Sequence, residues 1–556
     1  MSMFDIHLNG DYSGGGSTLR ADLASPDAGK GAELVARLQA DSMFDLVSLH
    51  VPTTDGFGVE LRAFYSSTDA GGGRFYWDAN RNKASANGGT IIDPTTIGTL
   101  SSTSLGTFLD VQGTGVGTGC WVRLERSSVN VEWFGAKFDG STNDSAPINA
   151  AINLVASRNG GKVLCPPRRG RCNITLKTGV YLVGEGFEIS SAAATRGTIL
   201  QAAVSGIVVD IEPGTCCGII DLNVQGLGSV AASTGVRMIN VSRGLIRNVF
   251  FNGFTDEAVL LNYECGACTI TDIVIQNTLL NRTRTSKAGA LDISGSDHWI
   301  ARAEVTTSQS ALSGDDLFLC AIAIRGSTAM LDSVIGEISD IGFYYAPNAS
   351  SNKATNCRAD LNFGIGWDIN SANNSFAGCF AFRNSRGESN TYSGFVLAAS
   401  SAGNMFSACH SSSLYVDSWR QKYGYDDLFN GAANRRNQYA ACSGVLNETA
   451  LYSMVGYLGS SPNLPSYPVR ATDGDTTPSV DESELLVLAA YVTSTTITNF
   501  DDGIGAQRLV VIGNSNVTLQ HGSTLKLKGG VNKTLINDHA YLFQRYNGVW
   551  YEVASE

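Results

Sequence analysis

Lys353-Ala-Thr-Asn-Cys-Arg-Ala-Asp360, Ser375-Phe-Ala-Gly-Cys-Phe-Ala-Phe382, Met405-Phe-Ser-Ala-Cys-His-Ser-Ser412 and Gln438-Tyr-Ala-Ala-Cys-Ser-Gly-Val445 are one strand pattern written four times. Each carries an apolar residue (Ala354, Phe376, Phe406, Tyr439) and, three positions later, a cysteine (Cys357, Cys379, Cys409, Cys442). The pattern extends toward the N-terminus through segments beginning at Ile219, Ile246, Ile270, Ile300 and Leu331, at spacings of 22 to 33 residues, with Leu222, Val249, Ile273, Ala303 and Val334 in the second column. Between these segments a second strand set recurs, with inward positions Val236, Val259, Leu291, Ile322, Phe343, Trp367, Phe395 and Leu428. Two strand columns advancing in step, once per coil, define a parallel solenoid. A barrel or doubly wound sheet would need a helical crossover between parallel strands, and no stretch of helical period lies between these segments. The sequence therefore predicts an all-β chain built on a right-handed parallel β-helix, with loops absorbing the variable coil lengths. The ladder cysteines are expected to be reduced, small hydrophobic core groups.

Outward from the repeat, Asp144-Ser-Ala-Pro-Ile148 opens an amphipathic helix over about 144–157, with Asp144 as its cap and Ile148, Ile152 and Val155 on one face. Residues 132–444 thus form the β-helix with this helix across its end. Residues 1–41 are polar, include Ser13-Gly-Gly-Gly-Ser17, and read as a linker or attachment segment. Short alternating strands such as Val59–Phe64 and Trp121–Leu124, with the turn Gly71-Gly-Gly73, predict a small β-domain over 42–131. Pro462, Pro465 and Pro468 mark a linker within 445–556, and strands at 485–488, 509–512, 524–527 and 549–553 predict a separate C-terminal β-domain.

Composition agrees with this layout. Gly is abundant at 62 and Pro scarce at 12, and only 16% of residues are charged, against about 25% in an average globular domain. The net charge of −12 and the absence of a basic stripe exclude a nucleic-acid partner. No run approaches a membrane span, so membrane insertion is not expected, and the first residues do not read as a secretory leader. Twelve cysteines spread along such a chain are expected to be thiols. Cys265-Gly-Ala-Cys268 lacks a second pair for zinc, so no metal or other cofactor is expected. Cys165, Cys172, Cys216 and Cys217 carry no assignable role.

The runs Gly71-Gly-Gly-Arg-Phe-Tyr-Trp-Asp-Ala79, Gly88-Gly-Thr-Ile-Ile-Asp-Pro94 and Val129-Asn-Val-Glu-Trp-Phe-Gly-Ala-Lys-Phe-Asp-Gly140 resemble the entry into the β-helix of bacteriophage tailspike proteins. Leu19–Ala24 and Gly31–Val35 are similar to the segment preceding that domain, and Gly522–Lys528 and Gly548–Val553 to its C-terminal β-domains. The stretch from Gly135 to Asp144 is shared with pectate-lyase-like β-helix proteins in general. The resemblance implies a homotrimer on the virion tail that binds and usually depolymerises a bacterial surface polysaccharide, O-antigen or capsule. The short N-terminal segment implies attachment through other phage tail proteins.

Family motifs do not place the active site, so coil geometry must. Glycoside hydrolysis needs two carboxyl groups, about 5 Å apart for retention or roughly 6.5–9.5 Å apart for inversion, and neighbouring coils lie about 4.8 Å apart. Six positions after the first column, Glu337 and Asp360 are the only stacked acids. They are the candidate catalytic pair, with Asp340 as a third member and Arg302, Tyr344, Arg358 and Arg383 as substrate-binding groups. The bland reading makes Glu337 and Asp360 solvated turn acids paired with Arg358 or Arg383. Rival sites are Asp297-His298 and Asp315-Asp316 in the long insertions; Asp292 and Asp368, three coils apart, are too distant to pair. Two other functions stay open. A polysaccharide lyase would need a Lys, Arg, Tyr or His base, and a non-catalytic receptor-binding spike would keep a groove without a working acid pair. His410 is outward by register and reads as solvated.

Overall fold

The computed structural model describes residues 39–49, 55–96, 105–125, 128–189, 196–228, 233–278, 287–307, 319–413, 420–429, 437–445, 447, 450–454, 469–480, 485–503 and 507–555. Residues 1–38 of the segment read as an N-terminal linker, the proline-marked linker and the Asp315-Asp316 insertion lie outside these residues, whereas Gln39 and Ala40, read as part of that linker, form a strand of the β-sheet domain. The chain divides into two compact units, residues 1–225 and 226–556.

In the first unit, strands Gly58–Ala63, Gly71–Asn82 and Thr118–Arg123 form an antiparallel meander flanked by the two-residue strands Gln39–Ala40 and Ile91–Ile92. One face packs Val59, Leu61, Phe75, Trp77 and Trp121 against the helix Met43–Ser48 and Phe108. Arg123 is buried in this layer, where its guanidinium donates to the carbonyls of Gly71, Gly72 and Gly89 at 2.7–3.0 Å and lies over the Phe75 ring at 4.4 Å. Burial pulls its pKa down to about 9. Gly72 is required here, because a Cβ would stand 2.1 Å from the Arg62 carbonyl oxygen.

The predicted helix runs Ser145–Ser157 and buries Pro147, Ile148, Ala151, Ile152 and Val155. Asp144 occupies the position before it, but its carboxylate makes no cap bond. Instead it accepts from the backbone N–H groups of Lys137 and Phe138 at 2.8 and 3.0 Å. These bonds tie down the turn ahead of the helix, while burial raises the carboxyl to about 6. Parallel strand pairs follow: Gly161–Leu164 with Val180–Val183, and Val180–Val183 and Ile199–Gln201 with Gly218–Gln225.

In the second unit the parallel register reproduces the columns read from the sequence. Ile246, Ile270, Ile300, Leu331, Ala354, Phe376, Phe406 and Tyr439 are successive partners. The second strand set runs Val236, Val259, Leu291, Ile322, Phe343, Trp367 and Phe395, and then Tyr425. Leu428, expected in that last place, is 38% exposed. Tyr425 displaces it because an aromatic ring continues the stack: Phe343 on Trp367 at 3.9 Å, Trp367 on Phe395 at 5.6 Å and Phe395 on Tyr425 at 4.8 Å, all within 15° of parallel. Cys357, Cys379, Cys409 and Cys442 are buried, and all twelve cysteines are free thiols.

Each coil bends sharply between the two columns at a residue with left-handed backbone, including Asp272, Arg302, Ser333 and Asn356 at φ 50–56°. Asn and Asp tolerate this region best after glycine. Polar ladders close the turns. Asn352, Asn374 and Asn404 each donate both backbone N–H and side-chain amide to the Oδ1 of the next asparagine, ending on Asn437, at 2.9–3.1 Å. Buried donors are thus satisfied coil by coil. Past the coils, strands at 485–487, 508–512, 540–546 and 549–555 share a sheet over a core that includes Leu486, Leu509, Val511, Phe543 and Trp550. Among the described residues no helix is long and apolar enough to cross a membrane.

Candidate active site

After each bend the strand presents alternate side chains outward, and the register stacks them in two rows. One row runs Thr306, Glu337, Asp360, Phe382, Ser412; the other runs Glu304, Ile335, Arg358, Phe380, His410. The structure therefore pairs Glu337 with Asp360 on adjacent coils and brings Arg358 and Arg383 to them.

The two acids differ in environment. Asp360 is 2% exposed and accepts from Arg383 through both carboxylate oxygens, from Nε at 3.2 Å and Nη2 at 3.1 Å. The Arg358 Nε adds an ion pair at 3.5 Å. Such a fork-on-carboxylate arrangement is strong and directional. Glu337 is half-buried, and among the described residues no donor reaches its carboxylate. Burial, then the charges of Glu304 and Asp360, hold the Glu337 carboxyl above the usual glutamate range, against the pull of Arg358 and Arg383. Ile338 follows at φ 49°, with Leu361 and Arg383 at 55° and 52° in the equivalent places. A β-branched residue adopts this region at a cost of order 1–2 kcal/mol. The bend after Glu337 is imposed by the coil geometry, and at Arg383 it turns the guanidinium back onto Asp360.

Asp340 lies apart from this face. It is fully buried, and its carboxylate accepts from the backbone N–H of Leu319 at 3.2 Å. Arg302 stands at the bend and forms an exposed pair with Asp272 at 2.6 and 2.8 Å. Tyr344 is on the outward side of the second strand set, between Lys287 at 4.8 Å and Arg325 at 5.7 Å from its ring. There Arg325 binds Asp292 and Lys287 pairs with Asp368. Asp292 and Asp368 are separated by Ala323 and Tyr344 in the column, which is three coils. Asp297 is exposed, whereas His298 is buried and bonded to the Ser294 carbonyl and the Cys268 N–H.

Reading down single columns misses two features of the acid face. Glu304 lies in the neighbouring row, diagonal to Glu337, and a diagonal search would have found it. Phe380 is 43% exposed and, with Phe382 and the His410 ring 6.0 Å away, forms an aromatic platform beyond the acids. Among the described residues, no cluster of His, Cys, Asp and Glu is arranged to hold a metal ion.

The fold is thus a parallel β-helix preceded in sequence by a small β-sheet domain, with acids, arginines and aromatic rings on one outward face. Residues 39–126 match the family described as the phage tail protein small four-stranded β-sheet domain. Among solved structures, the enzymatically active domain of tailspike protein 2 from bacteriophage CBA120 is similar with a TM-score of 0.54 at 14% identity, covering 97% of this chain and 82% of that one. Full-length tailspike protein 2 from a bacteriophage of Escherichia coli O157:H7 gives 0.57 at 14% identity, covering 98% and 74%. No curated protein sequence matches. The chain carries a phage-tail domain and the fold of phage tailspike proteins, and the resemblance read from its sequence holds.

Proposed function

We propose that this protein is a homotrimeric tailspike of the virion tail, joined to other tail proteins through its N-terminal segment, that cleaves a bacterial surface polysaccharide by endoglycosidic hydrolysis. The observation that carries this reading is Glu337, an outward carboxyl without a donor among the described residues, on a face that also offers arginines and the exposed Phe380 ring. A carboxyl whose pKa is raised by burial and by neighbouring anions is suited to protonate a leaving glycosidic oxygen. Arg358 supplies donors for sugar hydroxyls, and Phe380 and Phe382 supply apolar faces for sugar rings.

A lyase reading would look to Tyr344 as the base. Burial raises the Tyr344 hydroxyl, although Lys287 pulls the other way, so the phenolate that such a base requires is disfavoured.

Purified protein incubated with O-antigen or capsule from candidate hosts, followed by reducing-end release and mass spectrometry, tests the reaction. Products gaining one water are expected. Unsaturated products would establish a lyase, and intact polymer retained on the protein a binding spike. Light scattering at micromolar concentration tests assembly, with a monomeric mass overturning the trimer.

A further inference from the structure

Two outward carboxylates on the acid face, Glu304 and Glu337, have no hydrogen-bond donor among the described residues. Register pairs Glu304 with Ile335, so Glu337 lies one coil on and two residues along the strand. With coils about 4.8 Å apart and a rise of about 3.3 Å per residue, this diagonal is roughly 8 Å. As a backbone separation it suits side chains whose carboxyl groups stand roughly 6.5–9.5 Å apart, the span that admits a water molecule between acid and base. Asp360, directly in register with Glu337, has the shorter separation of a retaining pair, but its oxygens are held by Arg383 and it is 2% exposed. A nucleophile must turn a free lone pair to the anomeric carbon. The face points to a ligand independently of its acids: Phe382 lies two coils beyond Glu337, about 10 Å along the solenoid, beside the exposed Phe380.

We propose that Glu304 is the catalytic base that partners Glu337 as acid, so that hydrolysis proceeds with inversion; this rests on the hydrolase reading above. Glu337 gives its proton to the glycosidic oxygen as the bond from that oxygen to the anomeric carbon breaks. Water attacks the anomeric carbon from the opposite side and loses a proton to Glu304. The products are a free hydroxyl on one fragment and an inverted hemiacetal on the other, and proton exchange with solvent resets both carboxyls. Asp360, fixed by its arginines, is a positioning residue whose charge raises the Glu337 pKa.

The experiment is nuclear magnetic resonance of the first-formed reducing end, with kinetics of Glu304→Gln, Glu337→Gln and Asp360→Asn. Inversion is expected, with kcat lowered about 100-fold to 10,000-fold in both glutamine variants. KM, the melting temperature and polysaccharide binding should stay close to wild type, because both side chains are outward and the replacements keep their volume. Azide should restore turnover to Glu304→Ala by forming a glycosyl azide of inverted configuration. Hydrolysis with retention, or wild-type turnover in Glu304→Gln, overturns the pair while leaving the hydrolase reading in place. Unsaturated products or an uncut polymer remove that reading and the pair with it.

Discussion

Asp360 and Arg383 face each other across adjacent coils with two parallel hydrogen bonds, at 3.2 and 3.1 Å, while the register partner of Asp360, Glu337, accepts from no donor among the described residues. One member of the stacked acid pair is therefore held by a two-pronged hydrogen bond while the other has none among the described residues, and the proposed acid role of Glu337 rests on that asymmetry. Arg383→Ala would leave Asp360 buried with, among the described residues, only the 3.5 Å pair to Arg358. Because Arg383 is itself partly exposed, the expected loss is about 1–3 kcal/mol of stability, measured by denaturant unfolding.

The pH dependence has a definite sign. In its proposed role Glu337 acts as an acid only while protonated, and its pKa is raised by burial and by Glu304 and Asp360. Activity should therefore fall as pH rises through a value above the ordinary glutamate range of about 4.3. Arg383→Gln removes a charge that lowers this pKa, so the descending limb of kcat/KM should move to higher pH. In stability the raised group acts the same way: its contribution is present below the unfolded pKa and is lost as pH rises through the folded one. A limb that stays in place in Arg383→Gln would show that another group controls it.

Phe380 tests binding separately from chemistry. At 43% exposure its ring gives little to the core, so Phe380→Ala should melt within a few degrees of wild type. Loss of a stacking surface worth about 1 kcal/mol should raise KM several-fold with kcat nearly unchanged, measured by steady-state kinetics on the polysaccharide.

Trp367 links core and site. It is buried between Phe343 and Phe395, and its indole N–H donates to the Phe380 carbonyl at 2.9 Å. Trp367→Ala should cost about 3–5 kcal/mol and loosen the strand carrying Phe380, lowering both thermal stability and polysaccharide affinity. Trp367→Phe keeps most of the stack and should recover most of the stability.

Thiol labelling tests the register. Cys216 is the one cysteine that is not buried, so native protein should react first there, identified by peptide mapping. Rapid labelling of Cys357, Cys379, Cys409 or Cys442 before unfolding would contradict their inward stacking.

The recurrence of Ile246, Ile270, Phe376 and Tyr439 was legible because a parallel solenoid repeats a local pattern: every coil buries the same positions, so like residues recur in sequence as they stack in space. That recurrence also determined the pairing of Glu337 with Asp360 and the outward direction of His410. The sequence alone could not choose between Tyr425 and Leu428, since both are apolar and three residues apart; the ring stack decided it. Nor could it show that Asp144 bonds Lys137 and Phe138, that Asp340 turns inward to Leu319, or that Asp360 is clamped while Glu337 and Glu304 are open. Those outcomes depend on the distance between side chains on different coils and on which of them water can reach. Only the tertiary structure sets both, because a column records which residues share a face and not which partner each one takes.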